Sequence, residues 1–391
     1  MQSRCKPLSC LLVPAPAMSA LDLALARPPP PTLDEHLPSL PPLVLAPMVR
    51  LGTLPLRLLA LQRGAALVYT EELTDHKLAS ARRVADARLG TTDWLGADGR
   101  KILQTCPAER GRLVVQLGTG EPRGAVAACA NLFDVGDPMR DGIVAVDVNM
   151  GCPIDKVCSF GGGAGMLDRP TKLESVLRSV KAALKDTPLT VKMRTGKDDE
   201  SLKAHDILPR LIEFGVVAAT LHGRTRRARY TKSADWAYIK RCADAAAPSG
   251  LSVIGNGDVY NWQDVESAYE AGVAGVMVAR GAIIKPWIFT EIKEKRHWDI
   301  SAGERLELLQ ARAEEWRPRR WVLRREVGRG GSGFVAGRKR PWGAQRGGAP
   351  HPPGLWLRAS AACVWSILLG AFPNSWAPWL RAALYPKSLR T

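Results

Sequence analysis

The sequence lacks the features that mark several large classes of protein. The apolar stretch at residues 359–372 is shorter than the roughly 20 residues that a transmembrane helix needs. The 8 cysteines are scattered along the chain, and no two of them have the CxxC spacing of a zinc ribbon. We therefore expect no membrane span, no metal ion, no disulfide scaffold and a reducing compartment.

Acidic residues are scarce at both ends of the chain, which has a net charge of +17. Residues 317–391 hold 12 Arg, 2 Lys and 6 Trp against one acid, Glu326. Because no hydrophobic period survives there, we expect this basic tail to be unstructured or to reflect an error in the gene model. Residues 1–42 are rich in Pro and Leu, which predicts a disordered lead-in or, alternatively, an organelle transit peptide.

Residues 43–290 contain eight short apolar runs, each ending in glycine or in a polar cluster. Most of the runs are continuously apolar and rich in β-branched residues, which is typical of strands buried on both faces. The segments between them have helical periodicity, for example 171–184, 201–214 and 262–271. The runs are LVLAPM (43–48), ALVYTE (66–71), LVVQLG (113–118), IVAVDVN (143–149), LTVKMR (189–194), VAATLHG (217–223), LSVIGNG (251–257) and GVMVARG (275–281).

Eight buried strands that alternate with helices in about 250 residues predict an α/β fold, the (β/α)8 TIM barrel. A doubly wound sheet is the alternative, but LAPMVR after the first strand lacks the glycine-rich fingerprint of that fold. Reactive or hydrogen-bonding residues end nearly every run, at the barrel mouth where this fold has its active site. They are Met48, Glu71, Gln116, Asn149 with Cys152, Lys192 with Arg194, His222 with Arg224, Asn256 with Asp258, and Arg280.

Two of these residues suggest redox chemistry. Cys152 follows the fourth run in DVNMGCPIDK, where a thiol can act as a nucleophile or as a proton donor. Lys192 ends the fifth run, and a buried lysine needs an electron-rich partner such as the flavin N1–C2=O edge, or else a barrel carboxylate. The GGGAG segment at 161–165 lacks the ending of a phosphate-binding P-loop, so we expect a flexible loop near Cys152.

Two further segments suggest anionic ligands. GNGD (255–258) and ARG (279–281) end the seventh and eighth runs, whose loops form the usual phosphate site of a TIM barrel. The segment LHGRTRRARYTKSADW (221–236) is dense in arginine and includes Tyr230 and Trp236, which favours contact with nucleic acid over a merely solvated face. Residues 291–316 predict one or two amphipathic helices, with Ser301 and Glu304 as a capping box.

Together these motifs resemble the tRNA-dihydrouridine synthase family over roughly residues 43–316. From VNMGCPIDK onward the chain is most similar to the eukaryotic branch that acts on tRNA position 47, and its first third to the branch that acts on position 20. The matching pieces are LAPMVRLGTLPLR (45–57), VYTEEL (68–73), VVQLG (114–118), DVNMGCP (147–153), VKMRTG (191–196), LHGRTRRARYTKSADW (221–236), GNGD (255–258) and VARGAIIKPWIFTEIKEKRHWDIS (278–301).

The resemblance implies an FMN-dependent enzyme that reduces uridine in tRNA to 5,6-dihydrouridine. NADPH, or NADH, would reduce the flavin, hydride would pass from flavin N5 to C6 of the base, and Cys152 would protonate C5. The implied FMN contacts are Pro47, Met48, Gln116, Lys192, His222, Asn256, Gly257, Asp258, Ala279 and Arg280. The implied uridine and tRNA contacts are Asn149, Arg194, Arg224, Arg226 and Arg229.

The sequence departs from this family in two places. Only Cys5 and Cys10 precede the barrel segment, so the CCCH zinc fingers of the position-47 branch are not expected here. The resemblance ends near Trp316, so we expect a truncated or aberrant C-terminal helical region. A flavin oxidoreductase of a small pyrimidine and a non-catalytic RNA-binding barrel remain alternatives. We expect a monomer in the cytoplasm or nucleus, with organelle import as an alternative.

Overall fold

The computed structural model describes residues 42–133 and 142–308 of the chain. The expectations for residues 1–41 and for the basic tail at 317–391 lie outside the described residues, as does the end of the helical segment beyond residue 308. Twelve strands lie within the described ranges. They are β1 (Leu43–Leu45), β2 (Leu67–Tyr69), β3 (Leu73–Thr74), β4 (Arg82–Asp86), β5 (Thr91–Leu95), β6 (Lys101–Thr105), β7 (Leu113–Gly118), β8 (Ile143–Met150), β9 (Leu189–Arg194), β10 (Val216–His222), β11 (Ser252–Asn256) and β12 (Gly275–Val278).

Eight of these strands close into a parallel barrel, which confirms the predicted fold. The order β2-β1-β12-β11-β10-β9-β8-β7 is completed by a pairing between β2 and β7, in which Val68 lies opposite Leu113. Every neighbouring pair in this ring is parallel. Each of the eight predicted apolar runs therefore supplies one barrel strand, and all their C-terminal ends meet at one mouth.

Helices connect the strands and cover the barrel. Within residues 42–133 and 142–308, no helix is both long and apolar enough to cross a membrane, and no three His, Cys, Asp or Glu side chains are grouped so that they could hold a metal ion. The α-helices are α1 (Leu54–Gln62), α2 (Asp75–Ala79), α3 (Pro122–Leu132), α4 (Asp155–Ser159), α5 (Pro170–Leu184), α6 (Ala204–Ile207), α7 (Trp236–Ala246), α8 (Trp262–Tyr269), α9 (Arg280–Ile284) and α10 (Ile288–Lys293).

The caps of the later helices agree with the sequence, whereas one predicted helix is broken. Asn261 caps α8 in a capping box with Asp264. The amide of Glu304 donates to Ser301 Oγ at 3.2 Å, and the Ser301 amide donates back to Glu304 Oε2 at 2.7 Å. In contrast, the segment 201–214 forms only α6 and then a 3-10 helix, because Pro209 has no N–H for an α-helical bond.

The period of two along each barrel strand separates an outer core from an inner one. Outward residues such as Val146, Val148 and Val191 pack with the helices in one large apolar cluster. Inward residues at the lower end of the barrel, including Val44 and Ala145, form a small separate cluster. Toward the mouth the inward positions become polar, and these positions supply the candidate site: Gln116, Asp147, Asn149, Thr190, Lys192, Arg194, Thr220, His222 and Asn256.

A three-stranded antiparallel sheet, β4-β5-β6, interrupts the chain between α2 and β7 and was not predicted. Trp94 of this sheet is fully buried, and its Nε1 donates to the Asn131 carbonyl at 3.5 Å. The Asn131 side chain donates to the carbonyls of Leu78 and Ala81 at 2.9 Å and 2.8 Å. These bonds fix the extra sheet against the barrel through α3.

The same region contains a buried ion pair between Arg57 of α1 and Glu109. The Arg57 side chain is 2% exposed, and its Nε and Nη2 donate to the two Glu109 carboxylate oxygens at 2.6 Å and 2.9 Å. Its remaining donors reach the carbonyls of Gly52 and Gln104, both at 2.7 Å. The guanidinium therefore joins α1 to the end of the extra sheet.

Removing Glu109 should destabilise the fold strongly. We expect Glu109→Ala to lower the free energy of unfolding by about 3–5 kcal/mol, because the Arg57 charge stays buried without its partner. Glu266→Ala is the matched control: its pair with Lys295 is about half exposed, so a loss below about 1 kcal/mol is expected. Urea unfolding of both variants measures this, and equal losses would contradict it.

Candidate active site

Cys152 lies at the barrel mouth on the turn that follows β8. The side-chain oxygen of Asn149 accepts hydrogen bonds from the backbone amides of Gly151 and Cys152, both at 2.9 Å. The Arg194 Nε donates to the Gly151 carbonyl at 2.9 Å, and the Ala164 amide donates to the Cys152 carbonyl at 3.0 Å. Two strands and one loop thus fix the backbone that carries the thiol.

The glycine-rich segment 161–165 packs tightly beneath this turn, whereas the sequence predicted a flexible loop. All five residues are buried. Gly163 has a φ of +52°, and a Cβ placed there would lie 2.6 Å from the Cys152 carbonyl oxygen. Glycine is required because the two backbones approach each other so closely. The physical role of the segment is therefore to support Cys152.

The thiol of Cys152 is held in its neutral form. Burial, and after it the charge of the neighbouring Glu72 carboxylate, raise its pKa to about 11. Burial likewise raises the pKa of Glu72, which interacts directly with the thiol. At neutral pH this thiol is therefore protonated, a state that can donate a proton but is a poor nucleophile. The sequence analysis named the adjacent Glu71, not Glu72, as the acid that ends the second run at the mouth. The Glu71 carboxylate accepts a hydrogen bond from the Arg50 amide at 2.8 Å.

Below the turn, a chain of side chains orients Asn149. The buried Asp147 accepts from Thr190 Oγ1 at 2.7 Å and from Gln116 Nε2 at 2.8 Å. This leaves the Gln116 oxygen free to accept from Asn149 Nδ2, at 3.4 Å. Burial raises the pKa of Asp147 to about 6 despite these donors. The sequence analysis missed Asp147 and Thr190, although both have the inward parity of the site residues.

Lys192 of β9 lies opposite Asn149 of β8 and has the inward parity of the site residues. Burial lowers its pKa to about 8, with Arg194 adding to the effect and Asp147 opposing it. Among the described ion pairs, none involves Lys192. Its ammonium group could therefore face an electron-rich ligand group, and a bound anion would raise its pKa again.

On the other side of the mouth, Asp258 joins Arg224 to Arg280. Its carboxylate accepts two bonds from Arg224 at 2.6–2.7 Å and one from Arg280 at 2.6 Å. The Arg280 guanidinium also lies 4.6 Å from the ring centre of Tyr230. Two cations against one carboxylate leave this cluster positively charged. Arg224, expected at the uridine, is 5% exposed and lies within this cluster.

His222 is neutral in this environment. Burial and the surrounding cations, among them Arg194, Lys192 and Arg224, hold its pKa well below the usual value. Its Nε2 lies 3.2 Å from Arg224 Nη1, which can only donate, so Nε2 must accept. The ring proton is therefore assigned to Nδ1, which remains able to donate to a ligand.

The other residues predicted to hold a cofactor surround the same mouth. Pro47 and Met48 follow β1 and are partly exposed. Asn256 uses its Nδ2 to bind the Met277 carbonyl at 2.8 Å, which links β11 to β12. Gly257 has a φ of +137°, a conformation that side-chain-bearing residues rarely adopt. Ala279 immediately precedes α9.

Acids offset much of the charge of the arginine-rich loop at 224–232. The ion pairs are Arg226–Asp155 (2.9 Å), Arg227–Asp198 (2.9 Å), Arg229–Asp155 (3.9 Å) and Lys232–Asp199. A cavity of about 370 Å³ nevertheless remains positive, because four cations and one carboxylate line it. The lining residues are Pro153, Asp155, Lys197, Arg226, Arg227 and Arg229. Since Pro153 follows Cys152 in the chain, the cavity lies next to the turn that carries the thiol.

Comparison with known proteins gives a consistent set of matches. Residues 44–316 match the family model described as "Dihydrouridine synthase (Dus)". The "tRNA-dihydrouridine(47) synthase [NAD(P)(+)]-like" protein of Mus musculus is 41% identical over 268 residues, covering 68% of this chain and 38% of the relative. That of Homo sapiens is 52% identical over 165 residues, covering 42% and 25%. The Cryptococcus neoformans "tRNA-dihydrouridine(47) synthase [NAD(P)(+)]" is 41% identical over 286 residues, covering 69% and 36%.

The chain thus aligns with less than two-fifths of the length of these relatives. The shared region is the barrel and the first residues of the segment that follows it. The aligned segment includes Cys152 and Lys192, together with the residues that surround them.

Substituting Asn149 should release the Cys152 turn. Asn149→Ala leaves the amides of Gly151 and Cys152 unpaired, at a cost of about 1–3 kcal/mol, so their hydrogen exchange should accelerate at least about 5-fold. Asn149→Asp is the matched control, since its carboxylate keeps the accepting oxygen. Hydrogen exchange read by mass spectrometry tests this; unchanged protection in the alanine variant would contradict it.

Proposed function

The chain belongs to the dihydrouridine synthase family, and on that premise we propose that it reduces uridine in tRNA to 5,6-dihydrouridine. One observation carries the proposal: a neutral cysteine thiol is held at the mouth of a barrel whose interior also contains a buried lysine that forms none of the described ion pairs. The names of the curated relatives support tRNA as the substrate and position 47 as the modified site. The position-20 character of the first third remains an unsupported expectation.

The residues of the mouth fit FMN. The cluster of Arg224, Arg280 and Asp258 has an excess of positive charge, which matches a phosphate group. Lys192 forms none of the described ion pairs, although the Asp147 carboxylate acts on it electrostatically, and it matches the N1–C2=O edge of the ring, which becomes anionic on reduction. When bound and reduced by NADPH or NADH, FMN supplies the hydride that the C6 atom of uracil accepts.

The protein residues then supply the proton and the geometry. The Cys152 thiol donates its proton to C5 of the base, which a neutral thiol does at physiological pH. Asn149 and Arg194 hold the turn so that the thiol keeps one position. The target uridine must leave its base stack to reach this depth, as in other enzymes that modify bases.

The positive cavity beside Cys152 supports RNA as the substrate. Arg226, Arg229 and their neighbours line it with more positive than negative charge, which suits the phosphates on either side of an extruded base. A small pyrimidine has no such phosphates. We also propose that the enzyme is a monomer and is located in the cytoplasm or nucleus, as expected from the sequence.

Cys152→Ala should separate cofactor binding from catalysis. We expect the variant to keep a bound-flavin absorption spectrum, since Cys152 is not among the proposed flavin contacts. Its rate of dihydrouridine formation on unmodified tRNA should decrease about 100-fold or more. Cys129→Ala, which removes a thiol from the outer core in α3, is the control. Mass spectrometry of digested tRNA measures the product and its position.

Full turnover by Cys152→Ala would remove this residue as the acid. Wild-type oxidation of NADPH with a free pyrimidine, and not with tRNA, would favour a small-molecule oxidoreductase. Tight tRNA binding without any flavin would favour a non-catalytic RNA-binding barrel.

Loss of the cavity arginines should weaken tRNA binding in a salt-dependent way. The double variant Arg226→Ala, Arg229→Ala removes about two phosphate contacts, so the slope of log Kd against log salt should decrease by about 1–2. Lys240→Ala with Lys295→Ala removes the same charge outside the mouth. Filter binding at several salt concentrations tests this, and an equal decrease in both double variants would contradict it.

A further inference from the structure

Glu72 is a carboxyl group at the mouth that none of the steps above uses. It follows β2, and its side chain packs over Gly118 of β7, where an added Cβ would lie 2.5 Å from Glu72 Oε1. No described ion pair includes it, unlike its neighbour Asp75, which accepts from Thr119 Oγ1 at 2.7 Å. Its direct interaction is with the Cys152 thiol.

The groups that face the thiol come from four elements. Glu72 follows β2, Cys158 lies in α4, Arg194 ends β9, and the Ile154 amide belongs to the turn itself. Cys158 has its Sγ directed to the Cys152 carbonyl at 3.3 Å. Arg194 is committed to the carbonyls of Gly151 and Thr225. Of these groups, only Glu72 is a carboxylic acid in contact with the thiol and partly open to solvent.

The proposed reaction leaves a thiolate after every turnover. The S–H bond of Cys152 breaks as the new C–H bond forms at C5, and the pair of electrons stays on sulfur. A thiolate whose conjugate acid has a pKa near 11 takes a proton readily from a carboxylic acid. Arg194, held by two carbonyls, is a far weaker acid than a carboxyl group.

We propose that Glu72 returns the proton to Cys152 and so links the buried thiol to solvent. This inference rests on the proposed function. In the step, water first protonates the Glu72 carboxylate once the thiolate has formed; the new Glu72 O–H bond then breaks as the Cys152 S–H bond re-forms, and Glu72 is a carboxylate again. No oxidant or reductant is needed beyond the reduced flavin that supplies the hydride. Glu72 acts through Cys152 and does not touch the base.

The first experiment follows the thiol without tRNA. In the full chain as purified, the rate of Cys152 alkylation by iodoacetamide, read by peptide mass spectrometry, gives the pH midpoint of thiolate formation. We expect Glu72→Gln to lower this midpoint by about 1 pH unit, because the variant removes a negative charge that opposes the thiolate. Gly118→Ala, which displaces the carboxyl group without removing it, should shift the midpoint in the same direction.

Glu71→Gln is the matched control, since it removes the same charge one residue away and Glu71 is not among the groups that perturb the thiol. Its midpoint should equal that of the wild type. A midpoint in Glu72→Gln that also equals the wild type would overturn the proposal.

The second experiment compares one turnover with many. An enzyme that starts with a protonated thiol needs no relay for its first turnover. When pre-reduced Glu72→Gln enzyme is mixed with excess tRNA, one equivalent of dihydrouridine should therefore form at a rate within about twofold of the wild-type rate. Steady-state turnover should decrease by about 100-fold, the scale of a lost acid–base group. The decrease should be greatest at high pH, where solvent protonates the thiolate most slowly.

Equal losses in the single-turnover and steady-state rates would overturn the relay, because they indicate a merely structural role. If the wild-type chain reduces no tRNA at all, the proposed function fails instead. In that case the alkylation midpoints still decide whether Glu72 controls the Cys152 thiol.

Discussion

Closure of the eight-stranded ring is the constraint on which the site depends. The pairing of Val68 with Leu113 brings β2 against β7 and leaves no free edge in the barrel. Once the ring is closed, alternate residues of every strand must point inward. Asn149, Lys192 and His222 occupy different strands, yet closure of the barrel directs all three side chains into one small volume. Local structure alone could not bring them together.

That volume has an unusual charge balance. Asp147 is fully buried beneath Lys192, and Arg194 and His222 lie on neighbouring strands. The single carboxylate offsets only part of the positive charge, so the cations depress one another's pKa values and the histidine stays neutral. An anionic, electron-rich ligand is the group that this interior lacks, and its binding would relieve the repulsion among the cations.

The fold and most of the mouth could be predicted from the sequence, because buried parallel strands have a strong apolar signal and a fixed side-chain period. The period of two also marks Asp147 and Thr190 as inward residues once the neighbouring Asn149 and Lys192 are recognised. Glu72 could not be found in this way, since its position depends on a turn after the short strand β2. The charge compensation of the arginine-rich loop could not be predicted either, because the compensating acids come from distant segments, Asp155 from the start of α4 and Asp198 from the loop after β9. These depend on tertiary geometry and not on local pattern.

The pairing of β1 with β12 has a consequence for the order in which the chain folds. Leu43 and Val276 lie at opposite ends of the barrel sequence, and a second link, from Thr290 Oγ1 to the Arg63 carbonyl, joins residues 227 positions apart. Contacts of such long sequence separation form slowly, since loop-closure entropy must be overcome first. During synthesis the ring cannot close until β12 has left the ribosome, so the edges of β1 and β11 that pair with β12 stay exposed until then, and exposed strand edges favour aggregation.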